Sequence, residues 1–415
     1  MMIDFMKQTH QVALLLFSLS LLARAPVQPG RAPVKITGVA TSITAFVDFF
    51  RQGPRNNAVR VTSVHELEEQ FGGLDERSEA SYGIRQFFLN GGQEAWVVRV
   101  ASSDDGLPDA AAIIGDSTEG TGIYALETVD MFNLLCVPRA SIVGSGTGEF
   151  TVAQSNAIIV AVESYCAKRR ALFLLDSPGN LDGPQQIEAW LETYGSVRHR
   201  NVALYFPGVT IPDPLDNTVA RSVGSSGAIA GVIARLDASR GIWKAPAGAE
   251  ATLIGVSGLS YQVTDKENSM LVSLGVNCLR TFPAYGIVCW GARTLEGNGN
   301  SEWRYIPTRR LALFIEESVY RGTKWAVFEP NDETLWTQIR SIVSAFMHDL
   351  FLRGALQGQT PNQAYFVKCD RDTNSRNDID NGRLNILIGF APLQPAEFLI
   401  VRIQQLLGQK AHQGQ

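Results

Sequence analysis

The strongest periodic signal lies in the last third of the chain. Leu335, Ile339, Ile342 with Val343, Phe346 and Leu350 recur at intervals of three and four, which makes one helix face apolar for about five turns. Asn331 or Asp332 is placed to cap that helix and Gly354 to stop it. A shorter helix is predicted over residues 308–321, where Leu311, Phe314, Ile315 and Ser318 share a side while Arg309, Glu316 and Arg321 fall mostly elsewhere. Near the start, Ser63-Val64-His65-Glu66 has the spacing of a capping box, so a helix begins there and ends at Gly72-Gly73. Residues 78–90 give a second helix, closed by Gly91-Gly92. Small and β-branched runs at residues 36–50, 95–100, 171–176 and 201–206 read as strands, with helices at 155–170 and 185–194 between them. That alternation predicts an α/β layer around a largely buried sheet. Two strands close the chain, at 364–370 and 397–405.

The N-terminus follows a different pattern. Val12 to Ala23 reads VALLLFSLSLLA after Lys7 and runs into Ala23-Arg24-Ala25, the shape of a signal-peptide apolar region with its cleavage motif, too short to span a bilayer. The stretch from Pro26 to Pro33 reads as a flexible arm or linker. Residues 1–35 are therefore either a signal-like segment, an atypical arm or a wrong start, with the folded protein beginning near Val34. Gly, Ala and Pro concentrate over residues 237–248 and again near 297–300. We place the main boundary at residue 265, between an outer α/β unit over 36–265 and a C-terminal unit over 266–415.

The chain has 415 residues, 45% of them hydrophobic, and a formal charge of −5 from 36 Lys+Arg and 41 Asp+Glu. That is the composition of a globular protein of two or three domains with chain enough for a sizeable core. Without a dense Lys/Arg block there is no counterion release to drive binding to a phosphate backbone, so no nucleic-acid partner is expected. Cys136, Cys166, Cys278, Cys289 and Cys369 are odd in number, far apart and mostly inside apolar runs, which predicts buried reduced thiols. The five histidines are too scattered for a zinc motif, and no metal or cofactor is expected.

The candidate chemistry is thin. The loop Val143-Gly144-Ser145-Gly146-Thr147-Gly148 lacks both the G-K-[ST] ending and the G-x-G-x-x-G spacing of phosphate loops. Gly224-Ser225-Ser226-Gly227 does not match a nucleophile elbow, and only His199 and His348 are remotely available as a base. The acidic pairs Glu68/Glu69, Asp104/Asp105 and Glu316/Glu317 point about 100° apart if helical, too far to share one site. Trp303, Tyr305, Trp325 and Trp336 lie among apolar positions and read as core or interface aromatics. Nothing here specifies an enzyme or a small-molecule substrate.

Several longer stretches do point somewhere. Thr37-Gly38-Val39-Ala40-Thr41-Ser42-Ile43-Thr44-Ala45-Phe46-Val47, Arg85-Gln86-Phe87-Phe88-Leu89-Asn90-Gly91-Gly92 and the segment from Asp237 to Gly248 resemble the contractile tail sheath protein family. So do Asn277-Cys278-Leu279-Arg280-Thr281-Phe282-Pro283, Trp290-Gly291-Ala292-Arg293-Thr294-Leu295, the segment from Arg309 to Ser318, and Phe328-Glu329-Pro330-Asn331-Asp332. These matches fall in the family's order and span roughly residues 36–405.

The resemblance implies a structural subunit that stacks as hexameric rings around an inner tube, on a baseplate and under a terminator, in a phage tail or phage-tail-like injection system. Contraction of such a sheath drives the tube through a target envelope. The implied fold is α/β and α+β, a mixed-sheet outer domain plus an α+β C-terminal core domain with strand-exchanging terminal arms. Residues 397–405, with Phe398, Leu399, Ile400, Val401, Arg402 and Ile403, have the length and β-branched content for an arm strand added to a neighbouring subunit. Family members usually open with a Tyr-x-x-Pro-Gly-Val-Tyr segment, of which only Pro29-Gly30 stands here, followed by a second proline at Pro33 that removes a ladder donor. Arg309, Arg310 and Arg321 are candidates to face the tube. The implied place is the bacterial cytoplasm during assembly and then the particle. The alternatives are an exported α/β hydrolase or binding protein with a cleaved signal, and a sheath-like paralogue that terminates the assembly.

Overall fold

A period of two in the buried strands decides the architecture. Ala45, Val47, Val98, Leu135, Phe173, Leu175, Val202 and Leu204 belong to one apolar cluster, while their neighbours Phe46, Val97, Leu134, Leu172, Leu174, Ala203 and Tyr205 belong to another. A sheet with both faces covered requires that alternation of sides without any alternation of polarity. The computed structural model describes residues 13–20, 35–102, 106–216, 218–296 and 302–394.

In chain order the strands are β1 (Ala13–Ser20), β2 (Thr44–Asp48), β3 (Ala58–Val61), β4 (Ala95–Arg99), β5 (Leu134–Cys136), β6 (Leu172–Asp176), β7 (Val202–Phe206), β8 (Val209–Pro212), β9 (Ala220–Val223), β10 (Gly258–Leu259), β11 (Val276–Phe282), β12 (Gly286–Cys289), β13 (Tyr365–Lys368) and β14 (Arg383–Phe390). The α-helices of eight residues or more are α1 (Val64–Phe71), α2 (Glu79–Leu89), α3 (Val152–Arg169), α4 (Pro184–Thr193), α5 (Ser226–Arg240), α6 (Asp265–Ser273), α7 (Ile306–Gly322) and α8 (Glu333–Leu352). The large sheet has the order β12-β11-β7-β6-β5-β2-β4-β3, parallel from β11 to β4 with an antiparallel strand at each edge. Helices α3 and α4 cover one face, and α2 and α5 the other.

Local chemistry starts and stops these helices much as the residue pattern requires. The Ser63 hydroxyl accepts from the Glu66 N–H at the start of α1, and Gly72 closes it at φ +82°. The Glu66 carboxylate reaches one residue further back than a capping box expects, to the Thr62 N–H and hydroxyl. Helices α2 and α5 cross unusually closely. A Cβ on Gly227 would lie 2.2 Å from the Gly83 carbonyl oxygen, and one on Gly231 would lie 2.4 Å from that of Phe87.

The C-terminal unit is a second layer pair. Leu335, Ile339, Val343, Phe346, Met347 and Leu350 of α8 are buried with Leu384, Ile386, Ile388 and Phe390 of β14 in a core of their own. Its sheet has the order β1-β14-β13, antiparallel throughout. Two placements bear on the divisions read from the sequence. Strand β11 pairs in parallel with β7, Val276 opposite Leu204 and Cys278 opposite Phe206, so the first sheet continues past residue 265 to Cys289. The apolar segment at the N-terminus, which the sequence leaves open as a signal-like segment, an atypical arm or a wrong start, contributes β1, in a proline-free stretch upstream of Pro29-Gly30.

Candidate assembly site

In a doubly wound sheet, ligands bind where the strand order reverses, beyond the carboxyl ends of the strands. Here that place lies between β2 and β5, and the chain fills it with its own charges. Asp48, at the end of β2 and fully buried, accepts from the Arg139 Nε at 2.7 Å and from the Ala80 N–H at 2.8 Å in the first turn of α2. Arg139 also donates to the Gly148 and Arg77 carbonyls. Beside it Glu79 and Arg221 pair at 2.9 Å, with the Arg221 guanidinium over the Tyr82 ring. The carboxyl end of β6 is closed the same way, where Asp176 receives the Ser226 N–H and hydroxyl at 2.7 and 2.6 Å and caps α5. Burial raises the pKa of Asp176 against the pull of those hydrogen bonds. Ser225 and Ser226, the serines of the Gly224-Ser225-Ser226-Gly227 segment, are thus bound to a carboxylate. His199 is not their base: its Nδ1 lies 3.0 Å from Glu163 and accepts from the Asn201 N–H.

The C-terminal sheet is built differently, because one of its strands comes from the far end of the chain. Antiparallel pairing runs along the whole of β14, from Ala13 opposite Phe390 to Ser20 opposite Arg383. On the other side β13 covers Leu387 to Phe390, and the Asn374 side chain takes over beyond it, accepting from the Asn385 N–H at 2.6 Å and donating to its carbonyl at 3.2 Å. Strand β14 is therefore satisfied on both sides, whereas the outer edge of β13 pairs with no strand among the described residues. The arm candidates Phe398, Leu399, Ile400, Val401, Arg402 and Ile403 lie outside the described residues.

Two of the three arginines named as tube-facing candidates, Arg309 and Arg310, are buried within the single subunit. Arg309 is 5% exposed, donates from Nε to Asn201 at 2.8 Å, lies over the Trp303 ring and has its pKa lowered by burial. Arg310 is 3% exposed and forms a two-pronged pair with Asp237 at 2.9 and 2.6 Å, while also donating to the Thr41 carbonyl. Helix α7 is thereby fastened to α5 and to the segment entering β2. Only Arg321 retains a surface, bonded to Asp130 and Glu317 at 2.6 Å each, with Glu317 also receiving Arg170 at 3.0 Å. Charge on α7 reads equally well as solvated or as interdomain, and Asp237, the partner that decides the matter for Arg310, lies 73 residues away in sequence.

The structure has relatives. Residues 298–405 match the phage tail sheath C-terminal domain family. The chain is 27% identical over 372 residues to a putative prophage major tail sheath protein of Pseudomonas aeruginosa (strain UCBPP-PA14), covering 86% of this chain and 89% of that one. It superposes on the helical sheath of the anti-feeding prophage in its contracted state with a TM-score of 0.72 and 27% identity, over 93% of this chain and 100% of that one. The sheath of the PVC extracellular contractile injection system, also contracted, gives 0.73 and 25% identity over 94% and 99%.

Proposed function

We propose that this chain, which is a structural sheath subunit similar to those of prophage tails and contractile injection systems, polymerises as stacked hexameric rings around an inner tube and shortens to drive that tube through a target envelope. Self-association, docking on a baseplate and closure by a terminator are the partnerships this entails. Its role is mechanical rather than catalytic. Assembly takes place in the bacterial cytoplasm, and the subunit then becomes part of the particle.

The observation that carries the reading is the β1–β14 ladder. Its bonds are between backbones, so they are indifferent to which copy supplies the strand. Residues 21–34 join β1 to the rest, and at about 3.3 Å per extended residue they reach some 45 Å, enough for β1 to leave its own β14 for a neighbour's. The outer edge of β13 offers a second acceptor, for which the segment from Phe398 to Ile403 is the candidate donor. Each bond is worth only about 0.5–1.5 kcal/mol net, yet arms repeated through a lattice act together. Of the arginines, Arg321 remains as the tube-facing candidate. Export with a cleaved signal is disfavoured because cleavage near Ala25 would remove β1. Mixing one chain carrying Leu16→Cys with another carrying Leu387→Cys, positions directly opposite in the ladder, tests the exchange. A mixed disulfide under mild oxidation is expected, the native cysteines all being buried. Failure to link in assembled material refutes exchange at this ladder.

A further inference from the structure

A cavity of about 530 Å³ opens where the two units meet. Its wall includes Trp243 and Ala247 from the loop after α5, Val272 of α6, Trp290 just past β12, and Leu393 with Gln394, where the chain has left the C-terminal sheet. That volume lies inside the ~300–1,000 Å³ range of sites that hold a ligand or a few large side chains. The cations nearest the opening are already matched. Glu250 takes both Arg240 and Lys244, and Arg293 donates to the Val272 carbonyl at 2.9 Å. An anion therefore gains little there, and the two indoles favour an apolar occupant. Trp290 is 36% exposed and leans on Phe282 with ring centroids 4.4 Å apart.

The described residues end at Gln394, in the wall of this cavity, and the sequence continues Pro395-Ala396-Glu397-Phe398-Leu399-Ile400-Val401. Four large apolar residues in a row need cover in a free subunit. At about 3.3 Å per residue Phe398 lies within roughly 13 Å of Gln394, so the segment can turn back into the cavity, while a neighbour's tail must first find it. We propose that in the free subunit this cavity seats the chain's own residues 397–401, with Phe398 and Leu399 against Trp243 and Trp290, and that it empties when the arm crosses to a neighbour. The seat keeps the arm from pairing prematurely. It goes beyond the polymerisation reading and stands or falls without it, because the test uses unassembled protein.

Hydrogen exchange is measured on the dilute full chain, on a chain ending at Gln394, and on full-length Phe398→Asp/Leu399→Asp. Exchange of amides 243–248 and 290–293 is expected to rise at least tenfold in both variants, while α8 amides stay unchanged. Ala292→Trp, which fills the cavity from its wall, is expected to raise exchange in residues 397–401 of an otherwise intact chain, and this reads the seat even if truncation loosens the C-terminal unit. Unchanged exchange in the double variant and in Ala292→Trp overturns the proposal. So does protection in the full chain that grows with protein concentration, which would assign the cavity to a second copy's tail.

Discussion

Replacing Arg310 with methionine should uncouple the two units of the subunit. The Arg310 and Asp237 side chains are 3% and 7% exposed, and the pair has two prongs at 2.6 and 2.9 Å. Methionine roughly keeps the volume of the aliphatic stem but leaves a buried carboxylate whose remaining partner among the described residues is the Thr41 hydroxyl at 2.6 Å. Removing one member of such a pair costs about 3–5 kcal/mol, most of it the penalty of the abandoned charge. Replacing both, as Arg310→Met/Asp237→Leu, removes that charge as well and should recover at least half of the loss. Exchange of the Thr41 amide and of the α7 amides reads the coupling locally, and urea unfolding of all four members of the cycle gives the pair energy. A single-variant loss under about 1 kcal/mol, or a double variant equal to the sum of the singles, would refute the view that this pair fastens α7 to the sheet.

Other outcomes follow from the same geometry. Asp176→Ala should cost ~1–3 kcal/mol by stranding the Ser226 donors; because burial raises the Asp176 pKa, its contribution to stability falls as pH rises above its unfolded value near 3.8, and Asp176→Asn should flatten that slope in pH-dependent unfolding. His199 has its pKa pushed down to about 4 from 6.5, chiefly by burial and then by Arg200 and Arg309. Its neutral form is the folded one, so stability is complete above pH 6.5 and is lost as pH falls toward 4, by ~1–2 kcal/mol after allowing for a side chain 30% exposed, and His199→Gln should abolish that loss. Gly231→Ala should push α5 away from the Phe87 carbonyl and lower stability by ~1–3 kcal/mol, whereas alanine at Gly120, which meets no side chain, should be felt only through its positive φ; thermal unfolding compares them.

Much of the fold is legible because its signals are local. The α8 periodicity, Ser63 with Glu66, and the paired glycines after α1 and α2 act within a few residues, and the helices form where they indicate. Long-range partnership is not legible in this way. Strands β11 and β12 look like the opening of a new unit, and only the ladder to β7 assigns them to the first sheet. Arg309 and Arg310 sit on a helix whose polar residues look solvent-directed, and their partners Asn201 and Asp237 come from distant elements. Strand β1 is the clearest case, since eight apolar-rich residues near the start fit a targeting segment as well as a strand until their partner on β14 is known. Two further elements also carry local signals: the alternation of Leu384, Ile386, Ile388 and Phe390 marks β14, and the capping box of Thr264 with Glu267 opens α6.

Electron microscopy of the purified full chain, beside a version starting at Val34, each at high concentration, tests the central claim most directly. The account predicts tubes with a regular axial repeat from the full chain and dispersed subunits from the version that lacks β1. Dispersed subunits from both, or equally regular tubes from both, would contradict it.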